Sequence, residues 1–315
     1  MRAPIRSLLA LATSLVTIAA CGGADGDTPA PADADTPLVL GFLPAQQADS
    51  ILPDAERLGA FLAEQLGRPV DVVVPTTYEP LIEGLRFGHV DIAFLDGGPA
   101  WIAHSRTGAE VILAEQQDGN TFYWAEAFTR TGSPITSIRD VPGKRLAFTS
   151  RTGSSGFLMP IGSMIRDSLV VVDGQELTDL DAALQRSFAS TIDAGGYAQA
   201  LTALLDGRVD VAFGAHDSPA RFLEPAQQAQ VTSFHRFGKI PSHAVLVAND
   251  VPDDLAARIR DAMLALNEPA NLPLLRAIYG VDGLVATTTA DHLGDFGAAL
   301  SALPGMERTL LTKAP

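Results

Sequence analysis

A short pattern that occurs twice constrains the fold of this chain most. Leu85 to Leu95 reads LRFGHVDIAFL, and Leu204 to Gly214 reads LLDGRVDVAFG, 119 residues later. Each copy predicts the end of a helix, a glycine that terminates it, and a short buried strand. Each copy lies midway through a stretch in which strand-like and helix-like segments alternate. We therefore expect two α/β lobes of similar build, each a mostly parallel sheet flanked by helices.

The same patterns predict how the chain is divided. We expect the first lobe to comprise residues 38–127 and 240–315, and the second to comprise residues 128–239. The strand-like segment HAVLVAN, from His243, would return the chain to the first lobe. Ligands of open α/β sheets bind beyond the carboxyl ends of the strands, so two such lobes predict a cleft between those ends.

The N-terminus is typical of an exported protein. In residues 1–20, Arg2 and Arg6 precede an apolar core and small residues, which indicates a signal peptide. Ile18 to Cys21 is similar to a bacterial lipobox, which predicts that Cys21 is lipidated and becomes the mature N-terminus; a plain secretory signal is the alternative. Residues 21–37 are rich in Gly, Pro, Ala and Asp and predict a flexible tether. We expect a protein outside the cytoplasm, anchored to the membrane by lipid.

Composition limits the partners. Removal of the signal peptide leaves 20 basic against 37 acidic residues, a net charge of −17, which argues against nucleic acid. The single cysteine excludes an internal disulfide. There is no His-Glu-x-x-His motif and the six histidines are scattered, so neither a metal site nor a cofactor is predicted. A monomer is expected.

The stretch TSRTGSSGFLMP, Thr149 to Pro160, is the candidate binding loop. It follows a strand-like segment and fits the spacing of neither a nucleophile elbow nor a P-loop. The backbone N–H groups of Ser154, Ser155 and Gly156, together with the serine hydroxyl groups, could surround an oxyanion at the start of a helix. A serine cap on a glycine-rich turn is the alternative.

Four segments resemble one known family. DVPGKRLAFTSRTGSSGFLMP resembles the D-L-x-G-K-x-x-A-F…S-T/A-S-G-x-L-x-P segment of PhnD-type binding proteins, which serve ABC transporters for phosphonate, phosphite and related oxyanions. TTYEPLIEGLRFGHVDIAFLDGGPAW, GGYAQALTALLDGRVDVAFGAHDS and GKIPSHAVLVANDVPDDL are similar to further motifs of that family, in the same order. The resemblance covers most of Leu38 to about Met263. It implies a type II periplasmic-binding-protein fold, a cleft between the lobes, an ABC permease as partner and no enzymatic activity.

The resemblance also implies which residues contact the ligand. The turn Gly153 to Gly156 would hold the phosphorus oxygens, although Gly153 stands where the family has a serine. Tyr78 and Tyr123 correspond to binding tyrosines. The position of a frequent family histidine falls at Gly196, so that contact is absent or replaced.

Tyr197, Asp217 and Asp96 complete the candidate set. Tyr197 lies in a predicted loop at a strand end, Asp217 corresponds to an acidic family residue, and Asp96 interrupts the family's Leu-Gly-Pro. A carboxylate repels an anion unless the ligand carries a proton or an amine. Asp96 or Asp217 could accept a proton from P–OH, or either could bind an ammonium group with cation–π support from a tyrosine or Trp101. Both could instead cap turns that face solvent.

Arg151 is the nearest cation to the predicted turn. It could make a bidentate contact to the oxyanion, or lie on the surface without contacting the ligand.

We therefore expect an extracytoplasmic solute-binding lipoprotein of an ABC importer. Its ligand would be a small phosphorus oxyanion: a phosphonate, phosphite or phosphate. A ligand-binding component of a membrane sensor and an enzyme on the same scaffold are the alternatives.

Overall fold

The computed structural model describes residues 36–42 and 48–312. The predicted signal peptide, Cys21 and most of the predicted tether lie outside the described residues. Among the helices that are described, none combines the length and the apolar character that crossing a membrane requires.

The elements alternate as the sequence predicts. The first passage runs β1 (Leu38–Phe42), α1 (Ala48–Leu66), β2 (Val70–Val73), α2 (Glu79–Arg86), β3 (Ile92–Leu95), α3 (Gly97–Thr107) and β4 (Glu110–Gln116). The second runs β5 (Phe122–Arg130), β6 (Arg145–Phe148), α4 (Met159–Arg166), α5 (Leu177–Ser187), β7 (Ser190–Asp193), α6 (Tyr197–Leu205), β8 (Val211–Ala215), α7 (Ser218–Phe222), α8 (Pro225–Gln228) and β9 (Val231–Pro241). The return runs β10 (Ala244–Val247), α9 (Asp253–Leu264), α10 (Leu272–Tyr279), β11 (Gly283–Ala286), α11 (Thr289–Ser301) and α12 (Met306–Leu311). Short 3₁₀ turns cover Ile138–Asp140 and Ala265–Asn267, and a π-helical turn covers Ser154–Leu158.

Two sheets form two lobes, which confirms the predicted α/β class. The first sheet has the order β11-β4-β10-β3-β1-β2 and the second the order β7-β6-β8-β5-β9. Both sheets are mixed and not mostly parallel: β1 pairs in parallel with β2 and β3, and β6 with β7 and β8, whereas every pair that includes β5, β9, β10 or β11 is antiparallel. β5 and β10 directly follow β4 and β9 of the other sheet, without the helical crossover that parallel neighbours require, whereas β9 and β11 follow helices and lie at the sheet edges.

The chain passes between the sheets at residues 117–121 and again at residues 242–243. The sequence had placed these boundaries at 128 and 240. The whole of β5 belongs to the second sheet because it pairs along its length with β9, from Phe122 opposite Pro241 to Arg130 opposite Val231.

The repeated sequence pattern has the same structure in both lobes. Gly88 and Gly207 end α2 and α6 with positive φ angles of 68° and 72°. In the first copy, the Asp91 carboxylate accepts from the backbone N–H of Val39 at 2.7 Å. In the second, the Asp210 carboxylate accepts from the N–H of Arg145 at 3.0 Å. Each aspartate therefore fixes the start of β3 or β8 against the neighbouring parallel strand, and the prediction of two similar lobes is confirmed.

Successive side chains of a strand point to opposite faces of the sheet, and helices cover both faces. In β3, Ile92 and Phe94 pack with α1, α9 and α10, whereas Ala93 and Leu95 pack on the other face with α2 and α3. In the second sheet, α6 covers one face, and α4 and α5 cover the other. Because helices bury both faces, ligand access is left to the strand ends.

Helix α11 joins the two lobes. It packs on α3 of the first lobe, where Gly297 lies against the ring of Trp101, and on α4 of the second, where Gly162 lies against the backbone carbonyl of Ala299. A Cβ atom at either glycine would overlap these neighbours. The hydrophobic core is consequently continuous from one lobe to the other through α11.

We predict opposite effects for two glycines of α11. Gly297→Ala should lower the free energy of unfolding by about 1–3 kcal/mol, because the added methyl overlaps the Trp101 ring. Gly294→Ala is the matched control: no atom lies within 4 Å of its Cβ position, so the helix should gain up to about 1 kcal/mol. Urea unfolding measures both changes, and equal effects of the two substitutions would contradict the packing described for α11.

Candidate functional site

The predicted ligand contacts gather at one edge of each sheet. Asp96 follows β3, Tyr197 follows β7 and Asp217 follows β8, while the loop 149–153 follows β6. Tyr123 lies near the start of β5, which runs antiparallel to β8 and so begins at the same edge. The carboxyl ends of the parallel strands thus bring these side chains together, as the sequence had predicted.

The candidate loop enters a helix through a π-helical turn. Ser154–Leu158 forms that turn and continues directly into α4. The backbone N–H groups of Phe157 and Leu158 donate to the Gly153 carbonyl at 2.9 and 3.0 Å. The N–H groups of Ser154, Ser155 and Gly156 have no acceptor among the residues that the structure describes. These three donors, which we call the nest, stand at the positive end of the helix dipole.

The side chain of Thr149 packs against the turn that carries the nest. This side chain is buried and lies against both Gly153 and Gly156. A Cβ atom at Gly153 would lie 2.5 Å from Thr149 Oγ1, and one at Gly156 would overlap the whole side chain. A serine at position 153, as the family resemblance would have it, would therefore collide with the side chain of Thr149.

Three hydroxyl groups form a cluster beside the nest. The Ser155 hydroxyl, which is fully buried, lies 2.8 Å from the Tyr197 hydroxyl. Tyr123 lies beside the same cluster, where the Ser155 and Tyr197 hydroxyl groups both affect its pKa. Burial, followed by the neighbouring Tyr197, raises the pKa of Tyr123 far above its usual range, so this phenol remains a hydrogen-bond donor. The hydroxyl group of Ser155 is thus buried against Tyr197, whereas Ser154 is only half-buried.

A second set of polar side chains lies beside the end of β3 in the first lobe. The Tyr78 hydroxyl donates to Asp96 Oδ2. Asp96 Oδ1 lies 2.6 Å from His243 Nε2, and His243 Nδ1 lies 2.7 Å from Glu115 Oε2. The Glu115 side chain is 3% exposed, whereas that of Asp96 is 50% exposed. We call these four residues the carboxylate–imidazole chain.

His243 carries a positive charge in this arrangement. Burial alone would lower its pKa, but the hydrogen bonds to Asp96 and Glu115 outweigh that cost and raise the pKa to about 10. Each ring nitrogen then donates to a carboxylate. The imidazolium therefore offsets one of the two negative charges beside it.

The same histidine lies in one of the two crossovers between the lobes. The Glu115 N–H donates to the His243 carbonyl at 3.0 Å, and the Ser242 hydroxyl donates to the Glu115 carbonyl at 2.6 Å. The Ser242 N–H donates to the Thr121 carbonyl at 3.0 Å in the other crossover. The two crossovers are thus bonded to each other next to Asp96.

A polar cavity adjoins the hydroxyl cluster. It has a volume of about 490 Å³ and is lined by Gln117, Asp118, Asn120, Phe122, Tyr123, Tyr197, Ala215, His216, Asp217, Arg221 and Ser242. Asp217 is half-exposed there and lies 3.4 Å from Arg221. The cavity runs from Tyr123 and Tyr197 to the crossovers.

Two residues considered from sequence lie elsewhere. Arg151 is paired with Asp181 of α5, and its guanidinium lies 5.3 Å from the centre of the Phe148 ring. Trp101 packs in the interface of α3 with α11, where its indole N–H donates to Ser301 at 2.8 Å. Across the described residues, no group of three or more His, Cys, Asp and Glu side chains could hold a metal ion.

The sequence did not indicate the roles of His243, Glu115 or Thr149. His243 and Glu115 are 128 positions apart and no motif links them. Thr149 was the first residue of the candidate loop, but nothing in its spacing showed that its side chain folds back beneath the glycines. Only the packing of the strand ends brings these residues to the site.

Comparison with known proteins identifies relatives. A family model described as "ABC transporter, phosphonate, periplasmic substrate-binding protein" matches residues 40–292. The phosphate-import protein PhnD of Mycolicibacterium smegmatis is 28% identical over 220 residues, which cover 66% of this chain and 66% of that protein. The phosphonates-binding periplasmic protein of Escherichia coli K12 is 28% identical over 128 residues, covering 39% of this chain and 38% of that protein.

A solved structure supports the fold. XAC2383 from Xanthomonas citri has a TM-score of 0.63 at 19% identity, covering 84% of this chain and 98% of that one. The chain thus spans less than two thirds of the two curated relatives and nearly all of this structural neighbour. The family match confirms the resemblance drawn from the four sequence segments.

We predict that the charge of His243 makes stability depend on pH. Its folded-state pKa, about 10, lies above its ordinary value of 6.5, so the stabilisation is complete below about pH 6.5 and is lost as the pH rises through about 10. The difference in Tm between the wild type and His243→Gln should therefore be largest at low pH and shrink towards pH 10. His89→Gln, at an exposed position, is the control. A difference that stays constant across this range would show that the imidazolium contributes nothing.

Proposed function

Because the chain belongs to the family of periplasmic substrate-binding proteins of ABC phosphonate transporters, we propose that it binds a small phosphorus oxyanion and delivers it to an ABC permease. The observation that carries the proposal is the nest: three backbone N–H groups at a helix start, with no acceptor in the described chain, beside a cluster of three hydroxyl groups. Such a group of uncharged donors binds an oxyanion without adding a charge that would hold it permanently.

The chemistry of the relatives supports the same ligand class. One relative is named for phosphate import and the other for phosphonate binding. The two ligands share a tetrahedral phosphorus that carries ionisable oxygens. The cavity of about 490 Å³ beside the tyrosines would accommodate the organic group of a phosphonate.

Delivery requires that ligand binding be coupled to a change in the protein. The nest belongs to the second lobe and Asp96 to the first, so an oxyanion between them would draw the lobes together. The paired crossovers at 117–121 and 242–243 are the segments about which the lobes would rotate. A permease that recognises the ligand-bound arrangement would then distinguish loaded from empty protein.

The proposal also includes a location for the protein, at the membrane surface. A lipidated Cys21, followed by a flexible segment, would hold the binding lobes near the membrane that contains the permease. The relatives are transport binding proteins and not enzymes, which favours transport over catalysis at this site.

We predict that the ligand and its contacts can be identified by calorimetry. Phosphonates, phosphite and phosphate should bind to the mature protein, whereas Ser155→Ala should weaken binding by about 1–3 kcal/mol, because Tyr197 loses the partner that fixes its hydroxyl group. Ser163→Ala, farther along the same helix, is the matched control and should leave the affinity unchanged. The absence of binding by every phosphorus oxyanion would overturn the proposal.

We predict that Cys21 determines the attachment to the membrane. In a bacterial host that matures lipoproteins, the wild type should fractionate with membranes, and mass spectrometry should find acyl chains on Cys21. Cys21→Ser should be recovered without lipid in the soluble extracytoplasmic fraction. If the unmodified wild type behaves like this variant, the N-terminus is a plain secretory signal.

A further inference from the structure

An arginine in the loop before the nest is held by contacts with three other elements. Arg151 lies between the end of β6 and the π-helical turn Ser154–Leu158. Its guanidinium is paired with Asp181 of α5 and lies beside the rings of Phe148 and Phe157. Building on the proposed function, we propose that Arg151 is a positioning residue, which does not touch the ligand but fixes the turn that carries the nest.

Two aromatic rings connect the guanidinium to both ends of the loop. Phe148 is the last residue of β6, and Phe157 belongs to the π-helical turn. The two rings are buried and meet edge to face, with 4.9 Å between their centres. The central carbon of the guanidinium lies 5.3 Å from the centre of the Phe148 ring and 5.0 Å from that of the Phe157 ring. One planar cation therefore contacts both the strand end and the turn.

Phe157 links the guanidinium to the nest. Its backbone N–H donates to the Gly153 carbonyl at 2.9 Å, which closes the turn around residues 154–156. Its ring is fully buried in close packing, so the ring and the turn have to move together. Within the loop, the Gly153 N–H donates to the Ser150 carbonyl at 3.0 Å. A displacement of Arg151 would therefore reach the three N–H groups through both the ring and the backbone.

The pairing with Asp181 orients the guanidinium but leaves part of it unsatisfied. Arg151 Nη2 donates to Asp181 Oδ1, whereas Nη1 is buried and has no acceptor among the residues that the structure describes. A buried N–H group without an acceptor costs free energy and is uncommon in folded proteins. An arginine at this position is therefore best explained by its planar shape, which lets one group pair with α5 and contact two rings at once.

The charge of Arg151 is a minor part of this role. Asp181 offsets it, and the two side chains are 33% and 42% exposed, so water and salt screen the pair. Its effect on an anion at the nest should therefore arise from the positions of the three N–H groups, which a fixed turn holds ready for the ligand, and hardly from attraction by the guanidinium.

Calorimetry with methylphosphonate distinguishes the position of the turn from the charge of the side chain. Arg151→Gln should weaken binding about tenfold or more, because the turn loses its fixed orientation. Arg151→Lys keeps the charge but has no planar group to contact both rings, so it should weaken binding nearly as much. Both losses should be the same at low and high salt. Full recovery by lysine, or a loss that disappears at high salt, would indicate attraction by charge and overturn the proposal.

A double substitution tests whether Arg151 and Asp181 act as one unit. Asp181→Asn should weaken binding less than Arg151→Gln, and it should weaken binding no further when the two substitutions are combined, because both remove the same contact. Arg139→Gln removes an equal charge at an exposed position of the second lobe and is the matched control, with the wild-type affinity expected. Losses that simply add in the double variant would refute the role of the pair.

NMR of the ligand-free protein reports on the nest directly. The amide signals of residues 154–156 should shift or broaden in Arg151→Gln and stay unchanged in Arg139→Gln. Unchanged signals in Arg151→Gln would overturn the proposal, whatever its affinity. If the Arg151 variants do not fold, Asp181→Asn decides: wild-type signals and affinity in that variant would overturn the proposal.

The two proposals fail in different ways. Equal binding of methylphosphonate by the wild type and every variant would overturn the role of Arg151 and leave the proposed function intact. The absence of binding of every phosphorus oxyanion by the wild type would overturn the proposed function, and the amide signals would still test the position of the turn.

Discussion

The start of the helix at Ser154 is the constraint on which the rest of the cleft depends. A helix leaves its first N–H groups without partners inside the helix, and a buried start must satisfy them from elsewhere. Here the side chain of Thr149 packs closely beneath two glycines, and Ser155 is turned towards Tyr197. The three N–H groups of the nest are thereby left without an acceptor in the described chain, and the neighbouring hydroxyl groups are held in place.

Much of this architecture follows from local sequence. Helix-ending glycines and alternating apolar residues predicted two α/β lobes, and the repeated aspartates Asp91 and Asp210 make equivalent backbone contacts. The strand ends predicted where Tyr123, Tyr197 and Asp217 would meet. The direction of β5, β9, β10 and β11 could not be predicted in this way, because antiparallel pairing at this range depends on which edges remain open once the parallel core has formed.

The carboxylate–imidazole chain shows the other limit of sequence reasoning. Asp96 was recognised as an additional carboxylate, but its meaning depends on His243 and Glu115, which reach it from a crossover and from a neighbouring strand. Taken alone, an aspartate beside an anion suggests repulsion or a solvent-facing cap. With an imidazolium behind it and a phenol beside it, its orientation is defined by two partners.

Helix α11 has a consequence for the order in which the chain can fold. It follows both lobes in the sequence, yet it supplies the surface on which α3 and α4 are both buried. Until residues 289–301 can fold against them, those two helices keep apolar faces in water, and neither lobe reaches its full stability. The core shared by the two lobes is therefore completed only by the C-terminal part of the chain, from Thr289 onwards.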